Sequence, residues 1–296
     1  MSSAAQFRKR LDQGLVVAPG VFNAITAKMA ERCGFQAAYL SGAGLTNAMT
    51  AFPDIGLLSI TELAQQTAYI ASAVRIPLIV DADTGFGGPL NVARAVRELE
   101  QAGAAAIQIE DQLDPKRCGH LAGKQLIPAK AMSEKIRSAV KARRNPDFVI
   151  IARTDARGVE GLGSAIDRAR RYRDAGADMI FPEALESAAE FSRFADRLKA
   201  PLMANMTEFG KSPYLSVREF ERLGYRLVIF PMTIFRVMMK SAESALQVLK
   251  RSGTQRSLLD EMQTRKELYE LLDYDKYEKM ETETSNPPSR SPKRRR

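Results

Sequence analysis

The segment Lys116-Arg117-Cys118-Gly119-His120 places one of two cysteines and the only histidine of a 296-residue chain two positions apart, next to two cations. A thiol beside Lys and Arg has its thiolate stabilised, so proton transfer through Cys118 becomes accessible near neutral pH. Cys33, in ERCGF at the end of a helical pattern, lacks that setting and reads as a small helix-end residue. A Cys118–His120 nucleophilic pair is conceivable. However, residues two apart in a loop need not face each other, and no third group orients the imidazole. Serine-hydrolase chemistry has no support, because the chain carries no G-x-S-x-G.

Acidic residues form a second constellation. One β-rich run ends in Asp81-Ala82-Asp83 and the next in Glu110-Asp111. Residues two apart on a strand share a face, so Asp81 and Asp83 are expected to present their carboxylates together. Such oxygen clusters suit Mg2+, which keeps several waters and takes only one or two carboxylates directly. Later runs end in Arg153-Thr154-Asp155, Glu183 and Asn205-Met206-Thr207, and Arg236 opens a helical pattern. Arginine forks match carboxylates, and Asn and Thr add neutral hydrogen bonds, which together describe a pocket for a small polycarboxylate. Ser41-Gly42-Ala43-Gly44, beginning two residues after Tyr39, would form a loop whose backbone N–H groups can approach one end of that substrate.

The elements that position these residues are eight short β-rich runs: LVVAP, AAYLSG, PLIVDAD, AAIQIED, DFVIIARTD, DMIFPE, PLMANMTE and RLVIFP. Helical patterns separate them, which argues for βαβ units and parallel pairing. Gly34, Gly103, Gly176 and Gly224 precede the even runs, while Pro77, Pro146 and Pro201 precede the odd ones after the first. Both residue types end a helix before a strand. Eight such units without a G-x-G-x-x-G after the first predict an α/β fold, a (β/α)8 barrel, rather than an open doubly wound sheet. Extra chain follows the second run (41–59) and the fourth (111–131), on the face where barrel enzymes build their active sites.

An eighth helix is expected over about 233–250. A helical extension from about 255 follows, with Leu258, Leu259, Met262, Leu268, Leu271 and Leu272 at helical spacing. Residues 1–284 thus read as one barrel domain, and the Ser, Pro and Arg composition of 285–296 reads as a disordered basic tail. That tail supplies five of the nine net positive charges, so the body is only mildly basic. No aromatic residue is interleaved with its cations, which argues against a nucleic-acid partner. No apolar run reaches the roughly 20 residues of a membrane span, and two cysteines form no disulfide framework, so a cytoplasmic location is expected.

With these residues in view, the chain resembles the isocitrate lyase and phosphoenolpyruvate mutase superfamily. The matching stretches are YLSGAG, FPDIGLLSITEL, VDADTGFGGPLNVAR, IEDQLDPKRCGH, FVIIARTDA, VEGLGSAIDRA, FPEAL, NMTEFG and GTQRSLLDEMQTRKELYE, spanning about 10–278. KRCGH points to its lyase branch. The resemblance implies Mg2+-dependent cleavage of 2-methylisocitrate to pyruvate and succinate, in propionate catabolism, with Mn2+ able to substitute. A lyase for 2,3-dimethylmalate or another 2-hydroxy polycarboxylate is the alternative. Asp81 and Asp83 would hold the metal, with Asp54 and Glu110 around them. Ser41, Gly42, Ala43, Cys118, Gly119, Arg153, Glu183, Asn205, Met206, Thr207, Arg236 and Arg265 would bind substrate. Cys118 would act as general acid, and Tyr39, Arg153 and Glu183 are candidates for the base beside His120. The family also implies a homotetramer in which the eighth helix is exchanged between subunits.

Overall fold

The computed structural model describes residues 1–285; the predicted disordered tail falls, apart from Ser285, outside the described residues. All eight expected strands form: β1 (Val16–Val21), β2 (Ala38–Leu40), β3 (Leu78–Asp81), β4 (Ala106–Glu110), β5 (Val149–Thr154), β6 (Met179–Pro182), β7 (Met203–Asn205) and β8 (Leu227–Phe230). Neighbours pair in parallel in the order β6-β5-β4-β3-β2-β1-β8-β7. A parallel bridge between Ile180 and Leu202 joins the two ends of that order, so the sheet closes into a barrel.

Helices α1 (Ser3–Gln13), α2 (Ala24–Arg32), α3 (Gly42–Thr50), α4 (Ile60–Ala73), α5 (Pro89–Gln101), α6 (Ala129–Ala142), α7 (Arg157–Glu160), α8 (Leu162–Asp174), α9 (Ala188–Arg197), α10 (Val217–Arg222) and α11 (Thr233–Ser252) intervene or follow. The four glycines before the even strands have φ between 80° and 105°, the left-handed cap that their positions predict. A 3-10 turn (Arg256–Glu261), α12 (Arg265–Leu271) and α13 (Tyr274–Ser285) complete the described chain. No described helix is long and apolar enough to cross a membrane.

Side chains alternate across each strand, producing two apolar layers. Val16, Ala18, Ile79, Ile151, Met179, Met203 and Leu227 fill the barrel interior. Leu78, Val80, Ile107, Ile150, Ile180 and Val228 face the surrounding helices. Phe7 of α1 is fully buried in the inner cluster, and Arg8 beside it reaches Asp178 at 2.8 Å. Because Asp178 immediately precedes β6, α1 seals the end of the barrel where strands begin. The opposite end, where strands finish, is left for chemistry.

One local expectation changes. The Gly-rich segment after β2 is not an open loop: Ser41 caps α3, its Oγ accepting from Gly44 N at 3.2 Å. An N-cap hydroxyl satisfies a helix-end donor, which offsets the weak helix propensity of Gly42 and Gly44. The described chain forms two compact units, with the boundary after Met239, inside α11. None of the twenty residues of α11 is buried.

Candidate active site

The C-terminal ends of the strands surround a cavity of about 180 Å³. Tyr39, Ser41 and Ala43 line it from β2 and the start of α3, Arg153, Glu183, Asn205 and Thr207 from or just after later strand ends, and Arg236 from the first turn of α11. Cys118, Gly119 and His120 cover it from the loop after β4. This loop is pinned at its base by an antiparallel bridge between Gln112 and Leu126, so its tip spans the cavity as a lid.

The acids converge by a route other than strand alternation. β3 ends at Asp81, and Asp83 lies beyond it with φ of 47°, off the pleat. Asp83 N donates to Asp81 Oδ1 at 3.2 Å, and Gly42 N donates to Asp81 Oδ2 at 3.3 Å. A Cβ on Gly42 would sit 3.1 Å from Asp81 Oδ2 and 3.3 Å from Asp83 Oδ1, so both carboxylates aim at one small space. Glu110 is buried beside them, with Arg153 Nε 3.3 Å from its Oε2.

The lid delivers a cation into this group. Lys116 is buried, forms an ion pair with Asp83 at 2.7 Å and a shorter one with Asp54. Its ammonium is therefore engaged with carboxylates, and the flanking charge that the sequence assigns to the thiol is directed elsewhere. Burial, reinforced by Asp81 and Asp54, still pushes Asp83 up to about 6 despite Lys116. Burial likewise raises Glu110 well above the usual carboxylate range, with Arg153 opposing. Glu110 Oε1 has no hydrogen-bond donor. Carboxylate oxygens aimed at one small space, with one buried oxygen lacking a donor, fit a hard cation such as Mg2+. Among the described residues no three His, Cys, Asp or Glu groups converge as a ligand set for a metal.

Arg153 and Glu183 form the other wall. Arg153 is bidentate to Asp155 at 2.9 and 3.1 Å, reaches Glu183 Oε2 at 3.1 Å, and lies over the Phe181 ring. Burial works against the guanidinium, but Asp155, Glu110 and Glu183 more than reverse it, so Arg153 stays cationic. Burial would also raise Glu183; instead Arg153, His120 and Lys124 hold its carboxyl well below the usual range. The His120 ring accepts from Lys211 N at Nδ1 (3.0 Å) and sets Nε2 3.0 Å from Glu183 Oε1. Both ring nitrogens thus serve to dock the lid, and His120 is not organised as a base for Cys118. Tyr39 donates to Gln108 Oε1 at 2.7 Å, and burial with the nearby Asp81 keeps its phenol neutral.

Met206 and Asp111 turn away from the cavity. Met206 follows Asn205 by one position and therefore points to the opposite face, into the layer between strands and helices. Asp111, next to Glu110, likewise turns away to accept from Tyr172 and Thr154 at 2.7 and 2.8 Å. Arg265 belongs to the second unit, where it opens α12 at the edge of a cleft with α13. The residue-type reading also passed over Asn47, Phe181, Ile229 and Met232, which line the cavity. It gave no role to Lys124, whose only signal is its position six residues after Cys118.

The fit around Gly119 is close enough to test. A Cβ there would overlap Arg153 Nη2 and the Glu183 side chain. Gly119→Ala is expected to keep the fold while lowering kcat/KM by about 10²-fold, the usual consequence of an ångström-scale misplacement. Circular dichroism and steady-state kinetics check both halves.

Comparison with known proteins agrees with this geometry. The family model described as phosphoenolpyruvate phosphomutase matches residues 7–250. A 2-methylisocitrate lyase of Aeropyrum pernix is 58% identical over 271 residues, covering 92% of this chain and 87% of that protein. Among solved structures, a 2,3-dimethylmalate lyase superposes with a TM-score of 0.91 at 34% identity, covering 97% of each chain. A phosphonopyruvate hydrolase in complex with oxalate and Mg2+ superposes with a TM-score of 0.88 at 31% identity, covering 97% of this chain and 100% of that one. On the family match, the identity to that lyase and the shared barrel, the chain belongs to the phosphoenolpyruvate mutase and isocitrate lyase superfamily, as one of its lyases.

Proposed function

We propose that the protein is a Mg2+-dependent lyase that cleaves 2-methylisocitrate into pyruvate and succinate, serving propionate catabolism in the cytoplasm. The observation that carries this reading is the placement of Cys118, on the lid, over a cavity walled on one side by Asp81 and on the other by the Arg153–Glu183 pair. Asp81 and Asp83 would hold the ion, with Asp54 and Glu110 beside them. When bound, Mg2+ supplies Lewis-acid chemistry, acidifying the 2-hydroxyl and stabilising charge on the carbonyl that forms. The relative solved with oxalate and Mg2+ supports that assignment.

The chain's own residues do the rest. Ser41 and the N-terminal turn of α3 receive one carboxylate, where helix-end N–H groups favour an anion. Asn205, Thr207 and Arg236 receive the succinate half and stabilise the charge that develops as the bond breaks. Of the groups at hand for the hydroxyl proton, Tyr39 is held neutral and Arg153 cationic, leaving Glu183 as the unprotonated acceptor. Its low basicity is tolerable because the hydroxyl is acidified. Cys118 then gives its proton to the carbanion as general acid.

The test is a pyruvate-release assay over 2-methylisocitrate, isocitrate and 2,3-dimethylmalate. The largest kcat/KM is expected for the first, with residual activity on the others because one methyl group is worth only about 1–3 kcal/mol. EDTA is expected to abolish turnover and Mg2+ or Mn2+ to restore it. A preference for 2,3-dimethylmalate would move the assignment to that reaction.

The functional form is a homotetramer that exchanges α11, and its partners are the substrate and copies of itself, with neither nucleic acid nor membrane involved. Met238, Ala242, Ala245 and Leu249 recur at heptad spacing on α11, and Val237, Met239 and Leu246 are exposed beside them. An uncovered apolar stripe of this kind needs a partner surface. Light scattering is expected to give four times the 32.7 kDa chain mass.

A further inference from the structure

We infer that Lys124 is the positioning residue of the lid, fixing the Cys118–Gly119 peptide so that the thiol meets the carbanion. The argument rests on the lyase reading above and adds a residue to which that reading gives no part. Lys124 is buried at the descending end of the lid, and its Nζ donates to Asp155 Oδ1 at 2.9 Å and, at shorter range, to the carbonyl of Gly119. One ammonium therefore ties the residue after Cys118 to the end of β5.

The anchor on the barrel side is rigid. Asp155 takes both Arg153 contacts, and its own N donates to Asp111 Oδ1 at 2.9 Å. Asp111 is in turn fixed by Thr154 and Tyr172. Arg153 reaches Glu183, which meets His120. Lys124 and His120 thus hold the two sides of Gly119 against one network, while Lys116 ties the ascending side to Asp54 and Asp83. The three-point attachment leaves Cys118 exposed at the tip over the cavity. Gly158 faces this lysine, where a Cβ would lie 3.4 Å from Nζ, so the approach to Asp155 stays open.

Lysine suits the task because its compact ammonium, with three rotatable donors, serves the Gly119 carbonyl and Asp155 together in a buried space. Removing it does not strip Asp155, which keeps Arg153. The fold is therefore expected to survive Lys124→Met, and the effect to fall on the lid.

The experiment uses a Cys33→Ser background so that Cys118 is the only thiol. Lys124→Met, Lys124→Gln and the background protein are compared for thermal stability, for kcat and KM on 2-methylisocitrate, and for the rate of Cys118 alkylation by iodoacetamide with and without Mg2+ plus succinate. Lys124→Met is expected to lower kcat by about 10- to 100-fold with KM little changed, as misplacement of a reacting group does. Alkylation should become faster and lose its protection by Mg2+ and succinate. Lys124→Gln, which keeps a donor for the Gly119 carbonyl, should recover part of both. Wild-type kcat in both variants overturns the inference, and so does a fall in kcat with Cys118 alkylation and protection unchanged. If the background protein itself cleaves nothing, the lyase reading fails, and the alkylation comparison still decides whether Lys124 positions the lid.

Discussion

Cys118→Ser is expected to reduce kcat for 2-methylisocitrate cleavage by about 10²–10⁴-fold, the range that a positioned general acid contributes. The substitution is close to isosteric, and position 118 is exposed at the lid tip, so neither fold nor lid docking should change. Docking depends on Lys116, His120 and Lys124, whose contacts are made without the thiol. A serine hydroxyl is a far weaker acid than a thiol, so the carbanion would persist and recombine with the carbonyl product. KM is expected to move little, because the metal site and the arginines that bind the ground state are intact. Near-normal kcat in this variant would remove Cys118 from the mechanism.

Arg153→Met has the second large expected effect, on both activity and stability. Arg153 neutralises Asp155, Glu110 and Glu183 together, all of them buried. Removing one partner of a buried ionic group typically costs about 3–5 kcal/mol, because uncompensated charge remains. Turnover should fall below detection. The contribution of Glu183 to the pH dependence should change sign as well. In the wild type Glu183 is held below its unfolded value, so its contribution is present at neutral pH and lost as pH falls. Without Arg153 the buried carboxylates would be raised above their unfolded values, and the folded state would bind protons more tightly than the unfolded one. The variant's deficit should then be largest at high pH and shrink toward pH 5. Urea denaturation at several pH values measures it.

The barrel was legible because its signals are local. Gly34, Gly103, Gly176 and Gly224 mark helix ends with a conformation that glycine adopts most readily, and each β-rich run carries its own periodicity. Strand-end residues such as Arg153, Glu183 and Asn205 were legible for the same reason, since the topology carries all eight ends to one rim. What escaped depends on long-range contact or on a departure from regular backbone. Asp83 reaches Asp81 by leaving the strand, which a period-two rule does not anticipate. Met206, implied by the resemblance, and Asp111, at the end of its β-rich run, each follow a cavity-side neighbour by one position, and alternation turns both away. Lys116 and Lys124 look like ordinary loop cations until the acids that bury them, Asp54, Asp83 and Asp155, are brought from elsewhere in the chain. The N-terminal turn of α3 was hidden by a glycine content that argues against helix, although Ser41 supplied the cap.

The central claim is that a carbon–carbon bond breaks and the resulting carbanion is protonated within this cavity. The most direct measurement incubates the enzyme with Mg2+ and 2-methylisocitrate in D2O and follows both products by NMR. The account predicts pyruvate and succinate in equal amounts, with one deuterium per succinate in a methylene group and no label entering pyruvate during the cleavage step. Failure to form the two products in equal amounts, or succinate without deuterium, would contradict it.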